Sequence, residues 1–314
     1  MLLFTSFAVG LSALVGLSAR PIARRSAPAA AVRLLVGTGV IVAGGWCWAV
    51  ALLASTALGQ FPLVAWAGRW SPAQLGRLDP VPIGLGWGAA LALAVMAAAG
   101  AETARRRLRA TWSSWQACRQ MPPGAGSVVV LADEAPTAAA VPGLRGRVVV
   151  SRGMLRALEP EQRRALLAHE RSHLRHRHDL WVSAAHMIAR VDPLLVPLVR
   201  AVEEGVERWA DEDAAAEVGD RALTAEAIAS AALATVRSRP SAPPLGGVSL
   251  AGAAGHVTRR IDALLMPSPR AAPRLTAVLV AVVAASAIVA VIAGYEVDRL
   301  FDTAIRATHL AAHR

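Results

Sequence analysis

Along the chain, long uninterrupted apolar runs give way to a central segment whose apolar residues recur at strand and helix spacings. Four runs approach or reach the roughly 20 apolar residues that a helix needs to cross a bilayer core: residues 1–19, 34–58, 81–101 and 275–295. The first run carries no charge, and its arginines (Arg20, Arg24, Arg25, Arg33) follow it. A cleaved leader has its charge ahead of the apolar run, so a retained first span is expected. Residues 180–202 are also apolar, but Arg190, Asp192, Pro193 and Pro197 interrupt them. Charge at the middle of a span is costly. A helical hairpin in the core of the intervening domain, resting on the membrane, is expected there instead.

Residues 104–274 lie between the third and fourth runs and suffice for one compact domain. Residues 127–131 (SVVVL) and 147–150 (RVVV) read as strands, and 138–141 as a weaker extended stretch. The glycines at 143 and 146 make a hairpin of the last two. Helical patterns follow over 159–177, 181–190, 198–217, 223–237 and 257–265, with Pro160 suited to a first turn. Residues 239–255 hold three prolines and four glycines and read as a loop. The predicted fold is therefore a mainly α membrane protein. It has four transmembrane helices, an α+β domain between spans three and four, and a short tail over 296–314.

Composition narrows this further. Hydrophobic residues are 55% and charged residues 18%, against roughly 25% charged in a typical soluble domain; a disordered chain is excluded. Two cysteines, Cys47 and Cys118, exclude a disulfide scaffold and a cysteine-rich zinc finger. All 33 basic residues are arginine, so a lysine nucleophile is excluded. Of these, 28 follow spans one and three. The positive-inside rule then puts the N-terminus outside, both arginine-rich segments in the cytoplasm and the tail outside. The net charge of +11 thus reads as a topology signal, and no direct nucleic-acid binding is expected. The lipid bilayer is the first partner.

His169-Glu170-Arg171-Ser172-His173 is an HExxH sequence on a predicted helix. Residues i and i+4 project from one helix face, so two imidazoles can aim a nitrogen at one ion. Glu170 sits about 100° around the helix, where its carboxylate reaches a water at the metal rather than the metal itself. One Zn2+ per chain fits such nitrogen and oxygen ligands. His176 lies about 10 Å from His169 along a straight helix, too far to share the ion. His176 and His178 are therefore expected to be polar helix-end residues. Glu203, Glu207 and Asp211 form an acidic stripe at i+4 spacing, which is unfavourable unless a cation or donors compensate. Glu207 is the chosen third ligand and Asp211 the carboxylate that orients a ligand histidine; Glu203 and Glu204 are the alternatives. His256, Arg259 and Arg260 are the candidates for stabilising an oxyanion.

At these residues the chain resembles the gluzincin membrane peptidases. Residues 141–179, VPGLRGRVVVSRGMLRALEPEQRRALLAHERSHLRHRHD, look like their Pro-Gly hairpin, strand and HExxH helix, and Glu207-Arg-Trp-Ala-Asp211 resembles their ExxxD motif. The order of spans and the short gap from His173 to Glu207 look more like the BlaR/MecR type than the HtpX/CaaX-protease type. Large extracellular penicillin-binding domains mark the BlaR type; here about 19 residues follow Tyr295, with no Ser-x-x-Lys. The resemblance is to short sensorless relatives. It implies a zinc endopeptidase at the cytoplasmic face of a bacterial inner membrane. Glu170 would be the catalytic base, and Ala138, Ala139, Ala140 and Val141 the edge strand that pairs with substrate. It also implies a cytoplasmic protein substrate, a BlaI-like winged-helix repressor in a signalling pathway. An HtpX-like quality-control protease and a catalytically idle membrane regulator are the alternatives. A homodimer is a further partner reading.

Overall fold

The computed structural model describes residues 2–79, 81–120, 127–143, 146–238, 250–267 and 273–312. Helix α1 (Leu2–Arg25) turns through Ser26 and Ala27 into α2 (Pro28–Gly59), whose first position is a proline, the residue that gives up no helical hydrogen bond there. Two seven-residue helices, α3 (Pro62–Gly68) and α4 (Pro72–Leu78), follow, then α5 (Ile83–Gln120). The sheet comes next: β1 (Val128–Leu131), β2 (Ala138–Val141) and β3 (Arg147–Ser151). After it run α6 (Arg152–Ala157), α7 (Pro160–Arg175), α8 (His178–Val191), a 3-10 turn (Pro193–Leu195) and α9 (Val196–Val218). The chain closes with α10 (Arg221–Arg237), α11 (Leu250–Leu265) and α12 (Pro273–Ala312).

Four helices are long and apolar enough to cross a membrane, over Leu3–Arg25, Pro28–Gly59, Ile83–Gln116 and Val280–Leu310. All four run past the predicted spans, α5 and α12 by the most. Helix α5 continues from its apolar part into an arginine-rich extension, in which Glu102 accepts from Arg105 and Arg106 one turn on. Helix α12 has 40 residues, about 60 Å of helix, and includes most of the segment expected to be a tail. Its end is held in place: the Ser71 N–H donates to Thr308, and Phe301 packs on Trp70 with ring centroids 4.8 Å apart. Trp48 donates to the Ala290 carbonyl and Trp70 to the Gly59 carbonyl, so these two tryptophans join helices.

The sheet order is β1-β3-β2, with β1 parallel and β2 antiparallel to β3. The β2–β3 pair is the expected hairpin, although residues 144 and 145 of its turn lie outside the described residues. Central β3 is buried from Val148 to Ser151. Ser151 then caps α6, accepting from the Met154 N–H as well as from Thr137. That short helix carries too few residues to show a period, and sequence periodicity misses it. Glu159 and Gln162 form a reciprocal capping box at the start of α7, which fixes where the HExxH helix begins. Residues 239–249 of the expected loop are outside the described residues, and α11 starts at Leu250, earlier than expected.

The largest core is shared between the apolar helices and the domain that follows them. Leu11, Val15 and Ala19 of α1 and Val32, Leu35 and Val36 of α2 bury against Ile188 of α8, Leu195, and Leu198 and Val202 of α9. The interrupted segment is a hairpin, as expected. It packs against α1 and α2. Gly16 allows this approach, because a Cβ there would meet the Leu194 carbonyl oxygen. Asp192 at the hairpin tip is fully buried and accepts from the Leu194 N–H. Only one of its carboxylate oxygens is used in capping the tip; the other is buried without a hydrogen-bond partner, and burial pushes the Asp192 pKa up.

Candidate metal centre

Helix α7 presents His169 and His173 on one face, with their Nε2 atoms 3.1 Å apart. Helix α9 crosses α7 and brings Glu207 to them. Its carboxylate oxygens lie 3.7 Å from each Nε2. All three ligand atoms fall within 4.8 Å of one another. Ligands at about 2 Å around a tetrahedral zinc stand a little over 3 Å apart, so the donor set and its spacing fit that ion. The other acids of the stripe go elsewhere: Glu203 pairs with His186 at 3.1 Å, and Glu204 with Arg259 at 3.4 Å.

Each imidazole has a partner on its far nitrogen. His169 Nδ1 is 2.9 Å from Asp211. Burial opposes a charge on His169, but the Asp211 carboxylate outweighs it and raises the pKa. Asp211 is itself almost fully buried, which alone would raise its pKa. The paired guanidinium of Arg260 overrides burial and holds it at about 2. Arg260 donates to both Asp211 oxygens, at 2.8 and 2.6 Å, and stands 3.1 Å from Glu207. It therefore joins the orienting carboxylate to the ligand carboxylate.

His173 Nδ1 is 3.0 Å from Nδ1 of His178. Burial and then the neighbouring His169 push the His173 pKa down to about 4, so it stays neutral, the form that ligates metal. His178 is pushed to about 3, by burial and then by His173. His178 does stand at a helix end, as the first residue of α8, but it has a further part. It is 1% exposed and braces a metal-facing imidazole. The chain reaches it by a reversal at Arg177, which is left-handed at φ 49°. His176, also expected to be a helix-end residue, shares Asp213 of α9 with Ser172 at 2.8 and 2.7 Å, so it fastens α7 to α9. Trp209 lies under both rings, 4.5 Å from His176 and 4.9 Å from His178, with the Arg33 guanidinium of α2 4.8 Å from its ring. No periodicity in sequence pointed to His178 or Asp213, because each acts across a break between elements.

Glu170 lies in the same cleft and is almost buried. Desolvation raises its pKa; the nearby His169 lowers it in part, and so does the Ala140 N–H, which hydrogen-bonds its carboxylate. Strand β2 is a sheet edge. The Thr137 carbonyl bonds inward to Ser151, so by antiparallel alternation Ala138 and Ala140 face the open side while Ala139 and Val141 pair with β3. The cleft, about 670 Å³, is lined by Ala138, Ala139 and Ala140 with both histidines, Glu170 and Glu207. Val141 is outside that lining. Of the three oxyanion candidates only Arg260 lines the cleft among the described residues, and its guanidinium is committed to the two carboxylates. Arg259 is held by Glu204, and His256 lies outside the lining.

Two imidazoles and a carboxylate converging beside a buried acid define a metallopeptidase-like centre. Residues 105–282 match Peptidase family M48. That is more than half of the 314 residues, and the chain belongs to this family, whose members are generally zinc-dependent metallopeptidases. With its four membrane-length helices it is a multi-pass membrane protein. No curated protein and no solved structure matches the chain.

Proposed function

We propose that the chain is a zinc endopeptidase of the bacterial inner membrane that cuts a cytoplasmic protein at the inner face. The observation that carries this is the joint placement of Glu170, the three ligand atoms and an open strand edge around one cleft. His169, His173 and Glu207 would hold the ion. Zinc, when bound, acts as a Lewis acid that acidifies a water and polarises a peptide carbonyl.

The protein supplies the rest. Extended substrate adds to the open edge of β2 through the backbone of Ala138 and the carbonyl of Ala140, whose N–H is held by Glu170, which fixes the scissile bond over Glu170. Glu170, with a pKa raised by burial, takes the proton of the attacking water at its carboxylate. It then gives that proton to the departing amine. Asp211 keeps the Nδ1 proton on His169, and His178 keeps the corresponding one on His173, so both Nε2 atoms stay free to ligate. Arg260 holds Asp211 and Glu207 in register.

The excess of arginines on two segments supports a cytoplasmic side for this centre. The substrate most in keeping with the BlaR-type resemblance is a winged-helix repressor of a signalling pathway. A second reading, membrane-protein quality control, is favoured by one feature: the hairpin that carries Glu207 is packed along α1 and α2, which keeps the cleft close to the bilayer. Proteomics of new N-termini in cells with wild-type or Glu170→Gln protein separates them. Repressor fragments that vanish in the variant support the first reading. Fragments of membrane proteins support the second. An unchanged set of fragments overturns both.

A further inference from the structure

Two arginines line the cleft among the described residues, Arg260 and Arg107. Arg260 is spent on Asp211 and Glu207. Arg107 makes no ion pair or side-chain hydrogen bond among the described residues, yet it is half-buried. It belongs to the extension of α5 just past the apolar part of that helix. Its neighbours there behave differently. Arg105 and Arg106 are exposed and tied to Glu102, the ordinary arrangement for arginines at a membrane boundary. A step of 100° per residue turns Arg107 away from them and over the cleft.

The cleft also has a continuation on this side. A second cavity of about 500 Å³ shares Pro142, Leu174 and Asp179 with it, and its outer wall is Leu108, Trp112 and Trp115 of α5. The result is one trough that starts at the metal-facing histidines and ends at an apolar wall, with an unspent guanidinium beside it. Asp179 of α8 lines the trough too but forms no ion pair with Arg107. Glu170 and Glu207 also line the cleft, so Arg107 is a local cationic point and not part of a broad positive field.

We propose that Arg107 is a substrate-selecting residue, which receives a carboxylate side chain of the bound segment at one fixed position beside the scissile bond. This rests on the peptidase reading and adds to it a substrate class: segments with Asp or Glu at that position. The planar fork of a guanidinium suits a carboxylate in particular. Arg107 touches neither the ion nor the reacting bond, so its effect falls on which sequences are cut.

The test uses the full-length zinc-loaded protein in lipid nanodiscs and a mixed library of peptides, with cleavage sites read by mass spectrometry. Wild-type protein should enrich Asp and Glu at one subsite by about five- to tenfold, the range of a partly screened charge-assisted hydrogen bond. Arg107→Gln should abolish that enrichment. Arg107→Glu should invert it in favour of Lys and Arg, a gain that misfolding cannot produce. Zinc content and melting temperature confirm that both variants fold. If peptides are cut but the acidic preference is missing in wild type, or persists in both variants, the role of Arg107 is overturned and the peptidase reading stands. If zinc-loaded wild-type protein cuts none of the peptides, the peptidase reading fails and takes this inference with it.

Discussion

The two halves of α9 hold their neighbours by different physics. The first half, with Leu198, Ala201 and Val202 fully buried, meets α1 and α2 through apolar surface alone. The second half carries Glu207, Asp211 and Asp213 and meets α7 and α11 through charged hydrogen bonds. Apolar contact is worth about 25 cal/mol per Å² and loses value gradually as volume is removed. A buried carboxylate is different: it is stable only while its donors are in place, and removing one partner leaves a costly orphan. The first half therefore sets how firmly the hairpin sits. The second sets whether the centre exists at all.

The largest expected effect lies at the polar half. Glu170→Gln should lower the rate of peptide hydrolysis by about a hundredfold to ten-thousandfold, the usual range for a lost general base, while zinc measured by atomic absorption stays at one per chain. Full activity in this variant would break the assigned chemistry. Glu207→Ala should drop the bound zinc well below one per chain, because two imidazoles alone leave the ion loosely held. Asp211→Asn should weaken zinc binding by about ten- to a hundredfold in a chelator competition, as expected when the group behind a ligand histidine is changed. It also strips the charge that Arg260 answers.

The apolar half should respond otherwise. Leu198→Ala should destabilise the protein by about 2–5 kcal/mol, read as a lower midpoint in detergent unfolding, with zinc per folded molecule unchanged. Loss of zinc at native temperature would show that the two halves are not separable. Asp192→Asn should change stability least, by under about 1 kcal/mol. Asparagine keeps an oxygen for the Leu194 N–H, and thermal melting is the measurement.

Much of this was visible in spacing. The HExxH register announced two imidazoles on one helical face, and the i+4 acids announced a stripe in need of a cation. Glu207 could be singled out from Glu203 and Glu204 only as a choice; the crossing of α7 and α9 is what turns Glu207 to the imidazoles and leaves the other two to His186 and Arg259. The four apolar runs were equally plain, but their ends were not. Helix α5 runs on through arginines because Glu102 supports the next turn, and α12 runs on because α4 and Trp70 hold it. His178 is at a helix end, as its position suggests, but its contact with His173 crosses the break between α7 and α8, where periodicity stops.

By itself the sequence determined the local matters: which runs are apolar enough to cross a bilayer, where the hairpin strands lie, and which histidines share a helix face. These depend on neighbours three or four residues away. Tertiary structure alone decided that residues 180–202 pack along the first two helices, that Arg260 ties Asp211 to Glu207, and that His178 stands behind His173. Each joins residues from different elements. Such contacts are fixed by how helices cross and by the need of every buried charge for a partner, and neither condition is written in the spacing of any one segment.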